Sequence, residues 1–475
     1  MSHILQDLYL ACDPNAPATE EQYFDTTEVR GGYAFESEIL RSLAFNSNDD
    51  GMAESFVCAT FTGHIGGGKS SELRHLEAAL QTGSEGQRWR QLPVFVDALE
   101  YLDEWDTDTE DILLAVLAEL AEQVRLKTNI DLKETYLSKR WDEIKTSFLS
   151  HVGVKDAQVP IGDVKVTVQL LKQSRGARKK LREALRPKLP TFLQALNTAL
   201  DDIRDRLRKA VPKDGGAHYA GFVLIADGLD RILRVEGRSE GEESQRLLFV
   251  ERGWQLRSLR SHSIWTVPLA LVRAAPGELA AAFGREAFVL PMVKTEYRGP
   301  NHDRYPAGHK CLSDVLSRRA NPHPLDAAIS PDAREWMLDQ CGGDIRHLLA
   351  FVQASCELTD RPFIDLRAAR RAVGQTAATF GPAIRLAYWP KMAELEMSAS
   401  QEIDNNDSDY RDMLRQAWVL EYMNGERGAD ADTETPWYGV HPVVRRLPQF
   451  IRAVTTLAEE RARQATPDPV EDADG

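Results

Sequence analysis

Residues 63–71 read GHIGGGKSS, and the first eight of them fit the pattern G-x-x-x-x-G-K-[ST]. A run rich in β-branched and aromatic residues, SFVCATFT at 55–62, precedes this stretch, and Leu73, Leu76 and Leu80 give the residues after it helical spacing. Glycines let successive backbone N–H groups turn inward, and the N-terminus of the following helix adds partial positive charge. The order of strand, glycine-rich loop and helix therefore predicts a phosphate-binding loop.

The residues predicted to cradle phosphate are Gly63, His64, Ile65, Gly66, Gly67, Gly68, Lys69, Ser70 and Ser71. Within this loop, Lys69 is expected to reach the β- and γ-phosphates of a nucleotide, and the hydroxyl of Ser70 is expected to take one position around Mg²⁺. ATP and Mg²⁺ are the ligands that this pattern indicates. The alternative is a glycine-rich turn that binds nothing.

A second candidate segment, GFVLIADGLDR at 221–231, places acidic residues directly after an apolar strand. The carboxyl ends of strands are where open α/β sheets bind ligands. Asp227 is therefore the expected partner of Mg²⁺, because an unpaired acid at the end of so apolar a strand is costly without a cation. Asp230 is expected to orient or deprotonate the attacking water. The alternative for Asp230 is a cap of the next helix.

The stretches around these two segments alternate between strand-like and helix-like patterns. Strand-like stretches lie at 92–96, 263–272 and 287–293, and helix-like stretches lie at 36–45 and 112–124. Alternation of this kind predicts a parallel sheet between layers of helices, which is a three-layer α/β fold.

Changes in composition divide the chain into further parts. The expected parts are an N-terminal lead-in at 1–30, an α/β domain at 31–300, a helical lid at 301–378, a winged-helix-like domain at 379–462 and a disordered acidic tail at 463–475.

The lid and the small C-terminal domain are predicted from helix-length stretches. For the lid these stretches are 308–319, 331–340, 344–357 and 365–374. The winged-helix-like domain is predicted from a helix at 410–423 and from the sequence TPWYGVHPVVRRL at 435–447. Trp437, Tyr438 and His441 are expected to form the core of this domain, with a base-stacking surface as the alternative.

The segment at 128–216 is predicted to be an insertion in the α/β domain, because far more residues separate Lys69 from Asp227 than a βαβ unit requires. Alternating apolar residues predict a strand at 164–170 with a hairpin partner at 152–159.

A basic run at 172–188 follows and leads into a helix with an apolar stripe at 192–207. The basic run fits two interpretations. It is either a surface for nucleic acid or an acidic partner protein, or a solvated helix face laid against the acidic stretch 103–111.

The overall composition excludes several classes of protein. Lys and Arg number 58 against 73 Asp and Glu, and the net charge of −15 argues against a general nucleic-acid coat. The five cysteines are scattered, which argues against a disulfide framework and a zinc module. No apolar run approaches the roughly 20 residues that cross a bilayer, and no signal peptide is evident at the start. We therefore expect a cytoplasmic protein without membrane contact.

GHIGGGKS at 63–70 together with IADGLDR at 225–231 resembles the P-loop ATPases of the AAA+ and STAND (signal-transducing, multi-domain ATPase) groups. The resemblance covers about residues 23–375. It implies that the segment around Arg30, VRGGYAFESEIL, packs on the adenine. It also places Thr266 at the position of a polar sensor residue, although the usual asparagine is absent and Pro268 follows closely.

The same resemblance implies roles for two arginines. Arg346, in the sequence GGDIR, matches the start of a lid helix whose arginine contacts the γ-phosphate. Arg285, just before the strand-like AFVLPMV, matches an arginine finger that one subunit presents to the next, which implies a homo-oligomer on nucleotide binding. The alternative for either arginine is a solvated surface residue.

Three functions remain open at this level. The leading hypothesis is an ATP-hydrolysing switch in signalling or defence regulation, which a partner protein reads. The second is a DNA-associated AAA+ ATPase of the initiator or transposition-regulator kind, whose C-terminal winged helix contacts the duplex. The third is a scaffold that nucleotide stabilises without turnover, and the presence of Asp230 argues against it.

Overall fold

The structure, a computed structural model, describes residues 3–32, 34–47, 52–82, 89–130, 172, 175–232, 242–424 and 435–465 of the 475-residue chain. Two compact units can be distinguished. The loop–lid unit comprises Met1–Tyr33, Gly63–Lys69 and Leu290–Gly475, and the sheet unit comprises Ala34–Thr62 and Ser70–Val289. The predicted hairpin at 152–170 lies outside the described residues, as does the tail after residue 465.

The described α-helices are α1 His3–Ala11, α2 Phe35–Phe45, α3 Lys69–Thr82, α4 Ala98–Tyr101, α5 Thr109–Lys127, α6 Arg175–Leu185, α7 Leu189–Lys209, α8 Glu242–Arg246, α9 Gly253–Arg257, α10 Leu269–Ala274, α11 Pro276–Phe283, α12 Pro306–Ala320, α13 Leu325–Ala328, α14 Pro331–Cys341, α15 Ile345–Leu358, α16 Leu366–Ala383, α17 Tyr388–Glu396, α18 Ser408–Arg415, α19 Pro442–Arg445 and α20 Pro448–Ala465. Short 3₁₀ turns lie at Glu28–Arg30, Arg186–Lys188 and Leu229–Arg231, and a π-helical turn lies at Leu247–Glu251.

The strands form one five-stranded sheet and one pair. They are β1 Cys58–Gly63, β2 Trp89–Asp97, β3 His218–Asp227, β4 His262–Thr266, β5 Phe288–Leu290, β6 Val419–Met423 and β7 Pro436–Val440. The large sheet has the order β2-β3-β4-β1-β5, and the pairs β2–β3, β3–β4 and β4–β1 are parallel. The fold is α/β with a parallel sheet flanked by helices, which confirms the prediction from alternating patterns.

The core of the sheet unit explains why its strands are so apolar. Nearly every residue of β3 is buried, as expected for a parallel strand covered on both faces. The stripe predicted at 192–207 is the buried face of α7, whose Leu196, Leu200 and Ile203 join the same core as β3 and α5. This part of the predicted insertion therefore contributes to the core of the sheet unit.

The loop–lid unit contains the helices predicted for the lid. Helices α12, α14, α15 and α16 share one apolar core, and Leu5, Leu8 and Cys12 of the N-terminal segment pack into that core. A second core unites α17, α18, α20 and the antiparallel pair β6–β7. Trp437, Tyr438 and His441 are buried, which confirms their expected place in a core and not on a base-stacking surface.

The strand expected at 263–272 is wrong in its second half. β4 ends at Thr266, and α10 begins at Leu269. Pro268 has no N–H to donate to a neighbouring strand, and its carbonyl accepts from the N–H groups of Leu271 and Val272 at 3.1 and 3.2 Å. The proline thus starts a helix where the apolar pattern predicts a continuing strand.

The helix expected at 410–423 is also wrong in its second half. α18 ends at Arg415, Ala417 takes a left-handed φ of 54°, and β6 follows from Val419. The aromatic and β-branched residues of β6 pair with β7, and this pairing outweighs the helical spacing of the segment. The result is a two-stranded hairpin among helices, and the winged-helix interpretation of it stays a prediction.

Across the ranges that the structure describes, no helix is both long and apolar enough to cross a membrane. All five cysteines lie in those ranges, and each is a buried free thiol.

Candidate phosphate-binding site

The loop between β1 and α3 has the backbone that its glycines predict. Gly66 and Gly68 adopt φ values of 94° and 98°, a region that side chains disfavour. The N–H of Gly67 donates to the carbonyl of His64 at 3.1 Å, which tightens the turn. A Cβ on Gly66 would lie 2.4 Å from Oδ1 of Asp344. Gly66 and Gly68 are therefore required by backbone conformation, and Gly66 also by a close neighbour.

Lys69 folds over the loop that it follows. Its Nζ donates to the carbonyls of Gly63 and His64, at 2.9 Å each, and the side chain is buried. Neutral carbonyls are weaker partners for an ammonium than phosphate oxygens, which carry formal charge. The lysine is thus held at the loop in a position from which it can transfer its hydrogen bonds to a phosphate.

Arg30, in the N-terminal segment, supports the same loop through hydrogen bonds. Its guanidinium is fully buried and donates to the carbonyl of Gly67 at 2.6 Å, to Oγ1 of Thr26 at 2.6 Å, and to the carbonyl of Pro291. The sequence singles out this segment for the adenine, and that contact stays a prediction. Nothing in the sequence indicates that Arg30 holds the loop backbone.

His64 links the loop to the C-terminal hairpin. The side chain is buried, and its Nε2 accepts from the backbone N–H of Glu421 in β6 at 2.8 Å. Burial lowers the pKa of His64 to about 4, so the imidazole is neutral and carries its proton on Nδ1. Glu421 also accepts, through its carbonyl, from the N–H of Met292 at 3.0 Å.

Asp344 stands at the start of α15, beside the loop. Its Oδ1 caps the helix by accepting from the N–H of His347 at 2.9 Å, and its Oδ2 lies 3.2 Å from Nδ1 of the same residue. Burial alone would raise the pKa of Asp344, but the charge and hydrogen bonds of His347 outweigh burial and lower it to about 2. His347 in turn lies 3.1 Å from Nε2 of His441. Of these residues, the sequence singles out only His441, and only as part of a core.

Arg346 follows Asp344 on α15. Its backbone N–H donates to the carbonyl of Gly66 at 3.2 Å, and its Nε donates to the carbonyl of Pro14 at 3.2 Å. The backbone of the predicted sensor arginine thus contacts the loop. Its contact with a γ-phosphate stays a prediction.

The predicted acids lie in the sheet unit, at the end of β3. Oδ1 of Asp227 accepts from the N–H of Gly228 at 2.8 Å, and Asp230 lies in the 3₁₀ turn Leu229–Arg231. Gly228, with a φ of 80°, takes the N-cap position of that turn. Asp97 ends β2 in register with Asp227, so two carboxylates end neighbouring parallel strands. The same signal of an acid after an apolar strand could have identified Asp97 from the sequence.

Thr266 is the last residue of β4, and its side chain forms hydrogen bonds with the backbone on both sides of Asp227. Its Oγ1 accepts from the N–H of Leu229 at 2.9 Å and donates to the carbonyl of Ala226 at 3.2 Å. The residue at the predicted sensor position therefore sets the geometry of the backbone on either side of Asp227.

Arg285 has partners within its own chain. Its guanidinium carbon lies 4.3 Å from the ring centroid of Phe288, and its Nη1 lies 3.5 Å from Oγ of Ser42. The side chain is half-buried just before β5, where the sequence predicts it. Its role toward a neighbouring subunit stays a prediction.

Two arginines in the described part of the basic run lie against the acidic stretch, as one of its two interpretations predicts, but their side chains are buried and not solvated. Arg178 donates to Asp103 and Asp106 at 2.8 and 3.0 Å, and Arg182 contacts Asp106 and Asp111 at 2.7 and 2.6 Å. Arg178 and Arg182 are buried, so these two arginines are not available to nucleic acid.

No family model matches the chain, and no curated protein matches it. Among solved structures, the ORC2 protein of Aeropyrum pernix in ADPNP–ADP complexes is 12% identical with a TM-score of 0.44, over 95% of this chain and 98% of that one. A Walker-type ATPase of Pyrococcus abyssi is 14% identical with a TM-score of 0.43, over 94% and 99%. Cdc6p from Pyrobaculum aerophilum is 13% identical with a TM-score of 0.38, over 95% and 98%. Similarities at TM-scores below 0.5 assign neither a family nor an activity to this chain.

Proposed function

We propose that this chain is a Mg²⁺-dependent P-loop ATPase of the AAA+ or STAND kind that works as a molecular switch. The observation that carries the proposal is the loop at 63–69. It closes through two left-handed glycines onto a buried lysine, after a parallel strand and at the start of a 14-residue helix. Backbone N–H groups at a helix N-terminus, together with an ammonium, form an anion site of the kind that binds nucleotide phosphates.

The residues at the loop have different roles in the proposed binding of nucleotide. Backbone N–H groups from Gly66 to Ser70 bind the phosphates, Lys69 transfers its hydrogen bonds from loop carbonyls to the β- and γ-phosphates, and Arg30 keeps the loop in shape. Arg346 approaches the γ-phosphate from α15. Because each of these partners is fixed before nucleotide arrives, little ordering is needed on binding.

Oxygen donors suit the proposed metal. The hydroxyl of Ser70 and the carboxylate of Asp227 are hard ligands of the type that Mg²⁺ prefers, and Mg²⁺ would neutralise charge that develops on the phosphates. Asp230 holds and deprotonates the attacking water, and Thr266 keeps the turn that carries both acids in place. In an assembly, Arg285 of one subunit supplies a further positive charge to the next subunit.

The biological role proposed is regulation of signalling or defence through a partner protein. A DNA-associated ATPase of the initiator kind is the second candidate, and the β6–β7 hairpin among short helices favours it. The net charge of −15 and the burial of Trp437 and Tyr438 weigh against this candidate.

The test is to measure ATP binding and turnover of the wild type, Lys69→Ala and the matched control Lys310→Ala, whose lysine is exposed on α12. We expect Lys69→Ala to lose binding or turnover and the control to behave as wild type. Equal affinity and turnover in Lys69→Ala would refute the proposal. Addition of duplex DNA, and sizing with a non-hydrolysable ATP analogue, separate the two candidate roles.

The acids are tested by a second pair of variants. Asp230→Asn should keep Mg-ATP bound and slow hydrolysis, because the amide preserves shape without a base. Asp227→Asn should instead weaken the dependence on Mg²⁺. Wild-type hydrolysis rates in both variants would show that these assignments are wrong.

A further inference from the structure

Two imidazoles and one carboxylate meet at one end of the loop–lid unit, on residues that the proposed ATPase does not use. His3 and Asp7 lie four residues apart on one face of α1, and His323 lies in the turn after α12. Oδ2 of Asp7 lies 2.9 Å from Nδ1 of His3 and 2.9 Å from Nε2 of His323. Each residue offers a ligand atom, and the three atoms lie within 4.8 Å of one another.

The scaffold around this cluster is held in place by other contacts. Leu5 and Leu8 of α1 are buried in the core that α12, α14 and α15 share. The guanidinium of Arg319 in α12 donates to the carbonyl of Ala11 at 2.7 Å. The helix that carries His3 and Asp7 is therefore anchored to the helix that precedes His323, so the three side chains meet without a ligand.

The donor set points to a transition metal. Two imidazole nitrogens with one carboxylate oxygen match the three protein ligands of open zinc sites, whereas Ca²⁺ and Mg²⁺ prefer oxygen alone. His3 is largely exposed, which leaves the fourth position open to water. We propose that His3, Asp7 and His323 bind Zn²⁺ or a similar divalent transition metal, and that the ion fastens α1 to the turn at residue 323.

Binding would exchange hydrogen bonds for metal bonds at the same atoms. In the structure both imidazoles are within hydrogen-bond distance of one oxygen, Oδ2 of Asp7. A zinc ion in the middle would take the lone pairs of both imidazole nitrogens and release any proton that they carry, so affinity should fall as pH decreases. Because the ion binds the folded chain, it should also raise the unfolding temperature.

The test is a calorimetric titration of the tag-free full chain with ZnCl₂. We expect stoichiometric binding by the wild type. In His323→Ala and Asp7→Asn the affinity should fall by at least about 10-fold, the lower end of what loss of even an outer-shell partner costs. The control is His218→Ala, which removes an exposed histidine at the start of β3 and should bind as wild type.

Two further readouts keep the proposal falsifiable if a variant is less stable. Co²⁺ in place of Zn²⁺ should give the wild type the visible absorption of a four-coordinate site and should give His323→Ala none. Zn²⁺ should raise the unfolding temperature of the wild type and the control alone. Wild-type affinity in His323→Ala, or no stoichiometric binding by the wild type, would overturn the proposal whatever the outcome of the ATPase assays.

Discussion

Two buried polar networks in this chain differ in the charges that compose them. The loop network, in the loop–lid unit, comprises Asp344, His347 and His441, which are linked in a chain, and the buried imidazole of His64, which accepts from the N–H of Glu421. The charge network, in the sheet unit, sets the four aspartates of the stretch 103–111 against arginine guanidiniums. Its members are Asp103, Asp106, Asp108, Asp111, Arg178, Arg182, Arg186 and Arg252.

The two networks differ in how burial affects the charge states of their members. Burial lowers the pKa of His64 to about 4 and that of His441 well below its usual value, so both are neutral at pH 7. Burial also opposes the charge of His347, but Asp344 outweighs burial and raises the pKa of His347. The loop network thus holds one ion pair among neutral rings. The charge network depends on pairing, because removal of one partner leaves the other charge buried without compensation.

Arg182→Ala should have the largest effect, because it breaks the charge network at its centre. The side chain is fully buried, and its loss leaves Asp106 and Asp111 short of a partner. Breaking a buried pair in this way costs about 3–5 kcal/mol of stability. Denaturant unfolding measures the loss, and it is followed at several wavelengths because a chain of two units need not unfold in one step.

The matched control is Lys180→Ala, an exposed residue on the same helix, which should change stability by less than about 0.5 kcal/mol. Similar effects from both substitutions would show that the charge network contributes no more than a surface helix face.

His64→Ala should affect nucleotide binding more than the fold. It leaves the N–H of Glu421 without its acceptor, and an unsatisfied buried group costs about 1–3 kcal/mol, which corresponds to about 5–150-fold in an equilibrium constant. Because His64 belongs to the phosphate loop, much of this cost should appear as weaker ATP binding. Titration with a fluorescent ATP analogue measures it.

The control for His64 is His75→Ala, on α3 just beyond the loop, where the imidazole contacts Glu36 at 3.1 Å. It should leave ATP affinity within about twofold, since a pair that is partly open to solvent contributes little. An unchanged ATP affinity in His64→Ala would mean that the imidazole supports the hairpin alone.

The two networks also differ in how far the sequence predicts them. The acidic stretch and the basic run are compact in sequence, and helical spacing brings Arg178, Arg182 and Arg186 to one face, so one of the two interpretations anticipates the pairing. His64 and His441 are 377 positions apart, and no local pattern connects them. The phosphate loop follows from its glycines and its place between strand and helix. Its support by Arg30 and Glu421 arises from long-range packing, which no pattern of neighbours encodes.

Lower pH should destabilise the fold in part through the loop network. A histidine with a folded-state pKa near 4 must stay neutral in the folded chain, whereas the unfolded chain binds a proton near pH 6.5. The contribution of neutral His64 to the free energy of unfolding is therefore complete above pH 6.5, and it is lost as pH falls toward 4. Stability measured across this window should decrease, and the slope should be shallower in His64→Gln.

His262, also buried with a pKa lowered to about 4, contributes to the same slope from the sheet unit. His64→Gln should therefore remove part of the slope and leave the rest. An identical slope in His64→Gln and the wild type would show that His64 is not kept neutral in the fold.

The smallest single effects should come from the edge of the charge network, at Asp108. Arg186 and Arg252 both contact this buried carboxylate from partly exposed positions. Asp108 also begins α5, where it accepts from the N–H of Thr109 at 2.8 Å and forms a capping box with Asp111.

Removal of one arginine leaves Asp108 with the other arginine and the helix N–H groups as partners, so Arg186→Ala and Arg252→Ala should each cost about 1 kcal/mol or less. The double variant leaves a buried carboxylate with no cation, and it should cost more than the two single losses together by about 0.5–3 kcal/mol. Denaturant midpoints of the four proteins form a complete double-mutant cycle. Additive losses would mean that the helix cap alone satisfies Asp108, and that the charge network ends at Arg182.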